Sequence, residues 1–131
     1  MRDEKQLKAI ASKMVLKGKG ILAADESTPT CTKRFDSISV ESTIKNRNEY
    51  RNMLFTSSNI EEYISGVILF DETFKQSTTC ENKIPFVEYL NSKGIIPGIK
   101  VDGGTQDLAG FTDEKITEGL DGLKNRLEEY Y

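Results

Sequence analysis

The 131-residue sequence contains no histidine and no tryptophan. Without histidine, these residues cannot form a His-based catalytic triad, an HExxH zinc site or any other metal site that uses imidazole. General acid and base roles are therefore left to carboxylates, lysine and tyrosine. The only cysteines, Cys31 and Cys80, are far apart in the sequence and form no CxxC pair, which favours reduced thiols in a cytoplasmic protein.

Long apolar runs are also missing, and none approaches the roughly 18 residues that a transmembrane helix needs. The first residues, MRDEKQLKAIASKMV, mix charges with apolar side chains, whereas a secretory signal has an uninterrupted apolar core. Charges of the two signs nearly balance, with 18 Lys plus Arg and 21 Asp plus Glu, a formal net charge of −3. The composition therefore predicts neither a nucleic-acid partner nor a membrane partner.

Three short apolar runs are present, and they are GILAA (20–24), GVILF (66–70) and GIIPGIKV (94–101). Short and continuously apolar runs are typical of parallel strands that are covered on both faces. Helical spacing of apolar residues predicts helices over residues 6–17, 42–55, 86–92 and 116–131. Strands that alternate with helices predict βαβ units and a parallel sheet.

Residues with capping preferences mark the ends of two of these helices. Ser42 or Thr43 is suited to begin the helix over 42–55, because a hydroxyl oxygen accepts a hydrogen bond from a first-turn N–H. Pro85 lies at or near the first turn of the helix over 86–92, and Gly94 follows its end.

Charged residues occur where each predicted strand ends. Asp25 follows the first run, Asp71 follows the second, and Lys100 and Asp102 lie at the end of the third. In α/β folds, active sites assemble at the edge of the sheet formed by the carboxyl ends of parallel strands. Period-two alternation places Lys100 and Asp102 on one face of the third strand. The pattern predicts a polar site at this edge.

Five segments closely resemble class I fructose-bisphosphate aldolase, and they are GKGILAADEST (18–28), KRF (33–35), YISGVILFDET (63–73), GIIPGIKVD (94–102) and TEGLDGLKNRL (117–127). They occur in the order of that family, and the likeness extends from about Leu7 to Tyr131. The resemblance implies an α/β fold of the (β/α)8 TIM-barrel family. It implies that residues 1–131 are the N-terminal part of a single barrel domain, comprising three β/α units with parallel strands, and that the C-terminal half is absent.

The resemblance also implies a reaction, the reversible cleavage of fructose 1,6-bisphosphate into dihydroxyacetone phosphate and glyceraldehyde 3-phosphate in glycolysis. Class I enzymes perform it through a lysine Schiff base, without a metal ion or an organic cofactor. Their Schiff-base lysine lies on the sixth strand, so we expect the 131-residue chain to be inactive alone. The expected partner is a sugar-phosphate substrate, and the parent family is commonly homotetrameric.

Two residues are expected near the reacting atoms. By resemblance, Asp25 is the catalytic aspartate, close to the Schiff base and placed to handle hydroxyl protons of the substrate. The alternative for Asp25 is a strand-end carboxylate that caps the following turn. Lys100 corresponds to a lysine that binds phosphate and hydroxyl oxygens, and its alternative is an ion pair with Asp25. For Lys100, both can hold in the empty protein.

The loop after the first strand is expected to hold the 6-phosphate, with Ser27 and Thr30 as hydroxyl donors. Thr30 occupies the place of the family's usual serine. Pro29 replaces a glycine, and it would reshape the loop if that glycine needs a positive φ. Arg34 and Lys33 are candidate substrate-binding residues, either by contact with phosphate or, for Arg34, with a carboxylate. Their alternative is a solvated helix start, and that of Thr30 is an ordinary turn residue.

Nearby acidic residues are expected to be structural. Glu26 should point away from Asp25 and pair with a basic residue on a neighbouring element, and Asp71 and Glu72 are interpreted in the same way. Gly103 stands where the family often has lysine, so this position adds no charge.

Two further hypotheses compete with the enzyme. One is a truncated, non-catalytic paralogue that binds sugar phosphates or protein partners. The other is a small doubly wound phosphate-binding domain, which is disfavoured because no GxGxxG or Walker A motif follows a strand. The sequence leaves open a preference between fructose 1,6-bisphosphate and fructose 1-phosphate.

Overall fold

The computed structural model describes residues 4–131, which divide into two compact units. The first unit ends at Lys100 and the second is Val101–Tyr131. The first contains α1 (Glu4–Met14), β1 (Gly20–Ala24), α2 (Thr28–Asp36), α3 (Ile44–Phe55), α4 (Ile60–Tyr63), β2 (Ile64–Leu69), α5 (Asp71–Phe74), α6 (Phe86–Ser92) and β3 (Ile96–Ile99). The second contains β4 (Gly104–Asp107), β5 (Lys115–Glu118) and α7 (Leu123–Tyr130). Between residues 4 and 131, no helix has both the length and the apolarity to cross a membrane.

The first unit is built on a parallel sheet whose strand order, β1-β2-β3, is the order of the chain. Ala24 pairs with Leu69, and Leu69 pairs with Ile99, so the carboxyl ends of the three strands are aligned. The backbone N–H of Lys100 continues the ladder by donating to the Leu69 carbonyl at 2.9 Å. The predicted parallel sheet is confirmed, and the arrangement is that of the first three strands of a β/α barrel.

The apolar core packs helices against the central strand. Val67 and Leu69 of β2 are fully buried, and the rings of Phe55 and Phe86 meet edge to face with centroids 5.1 Å apart. Full burial of an apolar side chain of this size contributes roughly 1.5–3 kcal/mol. The core fixes α3 and α6 against β2, and so it fixes the strand end from which the following loop departs.

Several predicted boundaries are confirmed. β1 and α6 have the predicted limits, and Gly94, with φ of 71°, follows the end of α6. Thr43 is the residue that caps α3, because its Oγ1 accepts a hydrogen bond from the Asn46 N–H at 3.0 Å. β2 begins at Ile64 and β3 spans only four residues, so both differ from the apolar runs that predicted them.

The segment after β1 differs from the expected loop, because helix α2 begins at Thr28. Pro29 lies in its first turn, and Ser27 precedes it in an extended conformation with φ of −64° and ψ of 161°. A first-turn proline loses no hydrogen bond, since that N–H has no partner within a helix, and its fixed φ suits the helix. Pro29 is therefore compatible with the first turn of this helix.

The predicted helix over residues 116–131 is wrong in its first part. Residues 115–118 form β5, which pairs antiparallel with β4, and helix α7 begins only at Leu123. The reason lies in two glycines, because Gly119 has φ of 140° and Gly122 has φ of 66°, and neither value fits a right-handed helix. The β-branched pair Ile116 and Thr117 suits the strand that precedes them.

Gly119 also lies too close to its neighbours for any side chain. A Cβ atom at this position would be 2.7 Å from both the Asp102 Cα and the Gly103 nitrogen. We predict that Gly119→Ala accelerates amide hydrogen exchange in β4 and β5 at least about tenfold, because a residue forced into an incompatible backbone costs more than roughly 1 kcal/mol.

The matched control is Gly103→Ala, where the nearest atoms to a new Cβ would be 3.6 Å away. That variant should exchange at nearly the wild-type rate when both are followed by NMR. Equal exchange rates in the two variants would show that the close approach at Gly119 does not hold the hairpin.

Candidate active site at the strand ends

Asp25 and Lys100 lie just after β1 and β3, on either side of the central strand. The Lys100 Nζ is 4.0 Å from the Asp25 Oδ2. The Asp25 side chain is 29% exposed and the Lys100 side chain is 25% exposed, so both reach the surface. The structure therefore brings together the two residues that the sequence placed nearest the chemistry, in the ion pair that was the alternative for Lys100.

This pair presents a cation and an anion on one edge of the sheet. At 4.0 Å the contact is an ion pair and exceeds the length of a direct hydrogen bond. A partly exposed pair of this kind contributes little to stability, about 0–1 kcal/mol. Its groups are thus suited to take up ligand oxygens, with the carboxylate accepting a hydroxyl proton and the ammonium stabilising negative charge.

Ser27 and Thr30 stand at the start of α2 and contact each other. The Ser27 Oγ is 3.1 Å from the Thr30 Oγ1, and the Ser27 side chain makes no capping hydrogen bond. The first N–H groups of a helix lack partners within it, and its N-terminus carries partial positive charge. Two hydroxyls at such a helix end are suited to bind an anion, although Pro29 supplies no N–H there.

Arg34 and Lys33 lie further along α2. Arg34 is four residues after Thr30 and seven after Ser27, which places the three on one face of the helix. The Arg34 Nη1 hydrogen-bonds to the Glu26 Oε1, so Arg34 does make a carboxylate contact, while its side chain stays 56% exposed. Lys33 is exposed, and its side chain forms no hydrogen bond or ion pair with any residue in the described range 4–131.

Glu26 is buried, and its main partner is an arginine that the sequence interpretation missed. The Arg51 side chain is only 3% exposed, and its Nη1 lies 2.6 Å from the Glu26 Oε2. Its Nη2 donates to the Glu26 carbonyl at 2.9 Å, and its Nε donates to the Thr73 Oγ1 at 3.3 Å. The expectation that Glu26 is structural and pairs with a neighbouring element is confirmed.

Tyr50 completes this cluster. Its hydroxyl donates to the Glu26 Oε1 at 3.0 Å. Burial by itself raises the pKa of Glu26, but the hydrogen bond from its own backbone N–H, the Arg51 charge, the Tyr50 hydroxyl and the Arg34 charge together hold that pKa below its ordinary value. Burial, followed by the hydrogen bond to Glu26, raises the pKa of Tyr50. Glu26 is thus ionised and Tyr50 protonated at neutral pH.

A second buried arginine binds an acidic residue that follows β2. Arg47 binds Glu72 through two hydrogen bonds, from Nε at 2.8 Å and from Nη2 at 2.7 Å. Asp71 pairs with Lys75 one helical turn later, at 3.2 Å. The structural interpretation of both acidic residues is confirmed.

One signal for these arginines was present in the sequence. Arg47 and Arg51 are four residues apart, and so they lie on the same face of α3. The prediction of this helix rests on its apolar positions and does not consider that its basic residues reach the strand ends.

The Glu26–Arg51 pair predicts a specific response to acid. Because the pKa of Glu26 is lower in the folded chain than in the unfolded chain, its stabilising contribution is complete above the unfolded pKa and is lost as pH falls through the folded pKa. We predict that Glu26→Gln lowers the free energy of unfolding at pH 7 by roughly 3 kcal/mol, since it leaves a buried guanidinium without its counter-charge. Urea titrations at a series of pH values should show a smaller loss of stability on acidification than in the wild type.

The control for this prediction is Glu49→Gln, at an exposed position of α3, the helix that carries Arg51. It should change stability by less than about 0.5 kcal/mol. An acid profile of Glu26→Gln that parallels the wild type would exclude Glu26 as the group responsible.

Comparisons with known proteins agree with the sequence motifs and the geometry. Residues 6–131 match the family model described as fructose-bisphosphate aldolase class-I. A probable fructose-bisphosphate aldolase class 1 of Xanthomonas axonopodis pv. citri is 56% identical over 126 residues, which are 96% of this chain and 37% of that protein. Fructose-bisphosphate aldolase 1 of Toxoplasma gondii is 53% identical over 127 residues, which are 97% of this chain and 34% of that protein.

The fold is shared as well. A fructose-bisphosphate aldolase from Plasmodium falciparum, solved as a ternary complex with TRAP and a small-molecule inhibitor, matches with a TM-score of 0.89 at 50% identity, over 97% of this chain and 36% of that one. The predicted barrel-type α/β fold is thereby confirmed. This chain spans just over a third of the length of the curated relatives that it matches. On the match over residues 6–131 and these identities, the chain belongs to the class-I fructose-bisphosphate aldolase family.

Proposed function

We propose that this chain forms one part of the substrate site of a metal-independent, Schiff-base fructose-bisphosphate aldolase, which reversibly cleaves fructose 1,6-bisphosphate into dihydroxyacetone phosphate and glyceraldehyde 3-phosphate. Family membership supports the reaction class. The observation that links the proposal to particular residues is the Asp25–Lys100 pair. These two partly exposed charged groups follow β1 and β3 and lie 4.0 Å apart. The proposal includes a cytoplasmic, glycolytic setting and a homotetrameric parent protein.

Asp25 is the catalytic residue of the described part. Its carboxylate accepts a hydroxyl proton from a bound sugar and stabilises a nearby protonated amine. Lys100 binds substrate oxygens and is not the nucleophile, because it corresponds to a binding lysine of the family. Its ion pair with Asp25 opens or is shared when the sugar phosphate binds.

The phosphate group binds at the start of α2 in this proposal. Ser27 and Thr30 donate hydroxyl hydrogen bonds, and the helix end favours the negative charge. Arg34 reaches the same face of α2, and Lys33 adds an exposed cation next to it. In this proposal four residues bind the phosphate group and take no part in breaking a bond, and they are Ser27, Thr30, Arg34 and Lys33.

The division between binding and chemistry gives a direct test. We predict that the purified 131-residue chain neither cleaves fructose 1,6-bisphosphate nor forms a borohydride-trapped adduct with dihydroxyacetone phosphate, because the family's Schiff-base lysine belongs to a strand outside this segment. Mass spectrometry of the reduced sample detects any adduct. Turnover with a trapped lysine, at Lys100 for example, would overturn the assignment of Lys100 to binding.

Although we expect no turnover, we predict that the same chain binds the substrate. Fructose 1,6-bisphosphate, titrated into the ¹⁵N-labelled chain, should shift the amide signals of Asp25, Ser27, Thr30 and Lys100. Lys100→Met should weaken this binding about tenfold or more, since a hydrogen bond to a charged group contributes about 1.5–3 kcal/mol. Lys45→Met removes an exposed lysine from α3 and is the matched control. Equal affinities of the two variants would remove Lys100 from the site.

A further inference from the structure

The Tyr50 hydroxyl lies between Glu26 and Arg34. It donates to the Glu26 Oε1 at 3.0 Å and lies 3.3 Å from the Arg34 Nη1, which donates to it. The same Nη1 also donates to the Glu26 Oε1. One nitrogen of Arg34 is therefore held by two acceptors, a carboxylate and a phenol oxygen, that are themselves joined by a hydrogen bond.

The position of the Tyr50 ring is fixed by its neighbours. The Phe35 ring meets it edge to face, with centroids 5.8 Å apart and an interplanar angle of 88°. The Arg51 guanidinium carbon lies 5.0 Å from the Tyr50 centroid, within cation–π distance. Phe35 and Arg51 are both buried, so the hydroxyl is presented to Arg34 from a rigid support.

Arg34 needs such a support if it is to bind an anion well. Its side chain is 56% exposed, and a free arginine side chain loses about 2 kcal/mol of rotamer entropy when it is held in one geometry. Holding Nη1 in place before a ligand arrives removes part of that cost. The Nε and Nη2 groups of Arg34 bind no residue between 4 and 131, and so they remain as donors.

The charges of the cluster also favour an anion. Glu26 is shared between Arg51 and Arg34, so two guanidinium groups face one carboxylate and one positive charge is left over. Tyr50 holds Arg34 without adding a negative charge, because its raised pKa keeps the hydroxyl protonated at neutral pH. A second carboxylate in the place of Tyr50 would cancel the remaining positive charge.

From this geometry we propose that Tyr50 is a positioning residue, which holds the Arg34 guanidinium on the Ser27–Thr30 face of α2 for the phosphate group of the substrate. This inference depends on the proposed function, in which Arg34 contacts phosphate. Tyr50 acts through Arg34 and does not touch the ligand.

The test uses the full 131-residue chain with inorganic phosphate as the probe, followed by ¹⁵N amide shifts. Tyr50→Phe removes the hydroxyl and keeps the ring, and we expect it to weaken phosphate binding about fivefold, the loss of roughly one hydrogen bond. Arg34→Met should weaken binding about tenfold or more. The double variant should bind no more weakly than Arg34→Met alone, because Tyr50 acts only through Arg34. Tyr63→Phe, at an exposed tyrosine of α4, is the control and should bind as the wild type.

The outcomes separate the two proposals. If Arg34→Met binds phosphate as well as the wild type, the phosphate contact in the proposed function is wrong. If Arg34→Met weakens binding while Tyr50→Phe does not, or if their effects add, the positioning role is overturned and the phosphate contact stands.

A second measurement applies if Tyr50→Phe does not fold. The ¹⁵Nε relaxation of Arg34 in the unliganded wild type should report an ordered guanidinium. A guanidinium as mobile as that of a solvated arginine would overturn the inference.

Discussion

The buried ion pair between Glu26 and Arg51 joins the elements that carry the candidate site. Arg51 belongs to α3, Glu26 follows β1, and Thr73, which accepts from the Arg51 Nε, follows β2. A guanidinium that is 3% exposed is costly to bury unless its charge is balanced and its donors are satisfied. Because those partners come from two strand ends, satisfying Arg51 requires both ends to be held against α3.

The burial of Glu26 against Arg51 also determines the direction of the Asp25 side chain. Adjacent residues of an extended chain point in opposite directions. Glu26 turns to Arg51, and its neighbour Asp25 turns to Lys100 beyond the end of β3. The structural acid and the candidate catalytic acid are thus consecutive, and the burial of one determines the exposure of the other. Glu26 also contacts Arg34, so that one carboxylate pairs with arginines of both α3 and α2.

The sequence was sufficient where local signals and tertiary packing agree. The apolar run over 20–24 predicted β1 with the observed bounds. Pro85 before α6 and Gly94 after it did the same for that helix. The sequence failed at residues 115–118, where apolar spacing typical of a helix competes with two glycines whose φ values are positive. It considered a helix start only at Lys33 and Arg34, and it missed the start of α2 at Thr28 because Pro29 was considered only as a replacement for glycine. The burial of Arg51 depends on partners 25 and 22 residues away, which the four-residue spacing of Arg47 and Arg51 does not identify.

These features show what each residue of the DEST segment does in the structure. Within residues 25–28, Asp25 faces Lys100, Glu26 is buried against Arg51, Ser27 offers a hydroxyl, and Thr28 begins α2. Glu26 is 8% exposed and Asp25 is 29% exposed, so these adjacent side chains lie in different environments. Active sites of β/α barrels take residues from several strands, and the ends of β1 and β3 each contribute a charged side chain to one candidate site. The roles proposed for these side chains concern substrate binding, and the proposed covalent step depends on a lysine of another strand, so binding and catalysis must be tested separately in this chain.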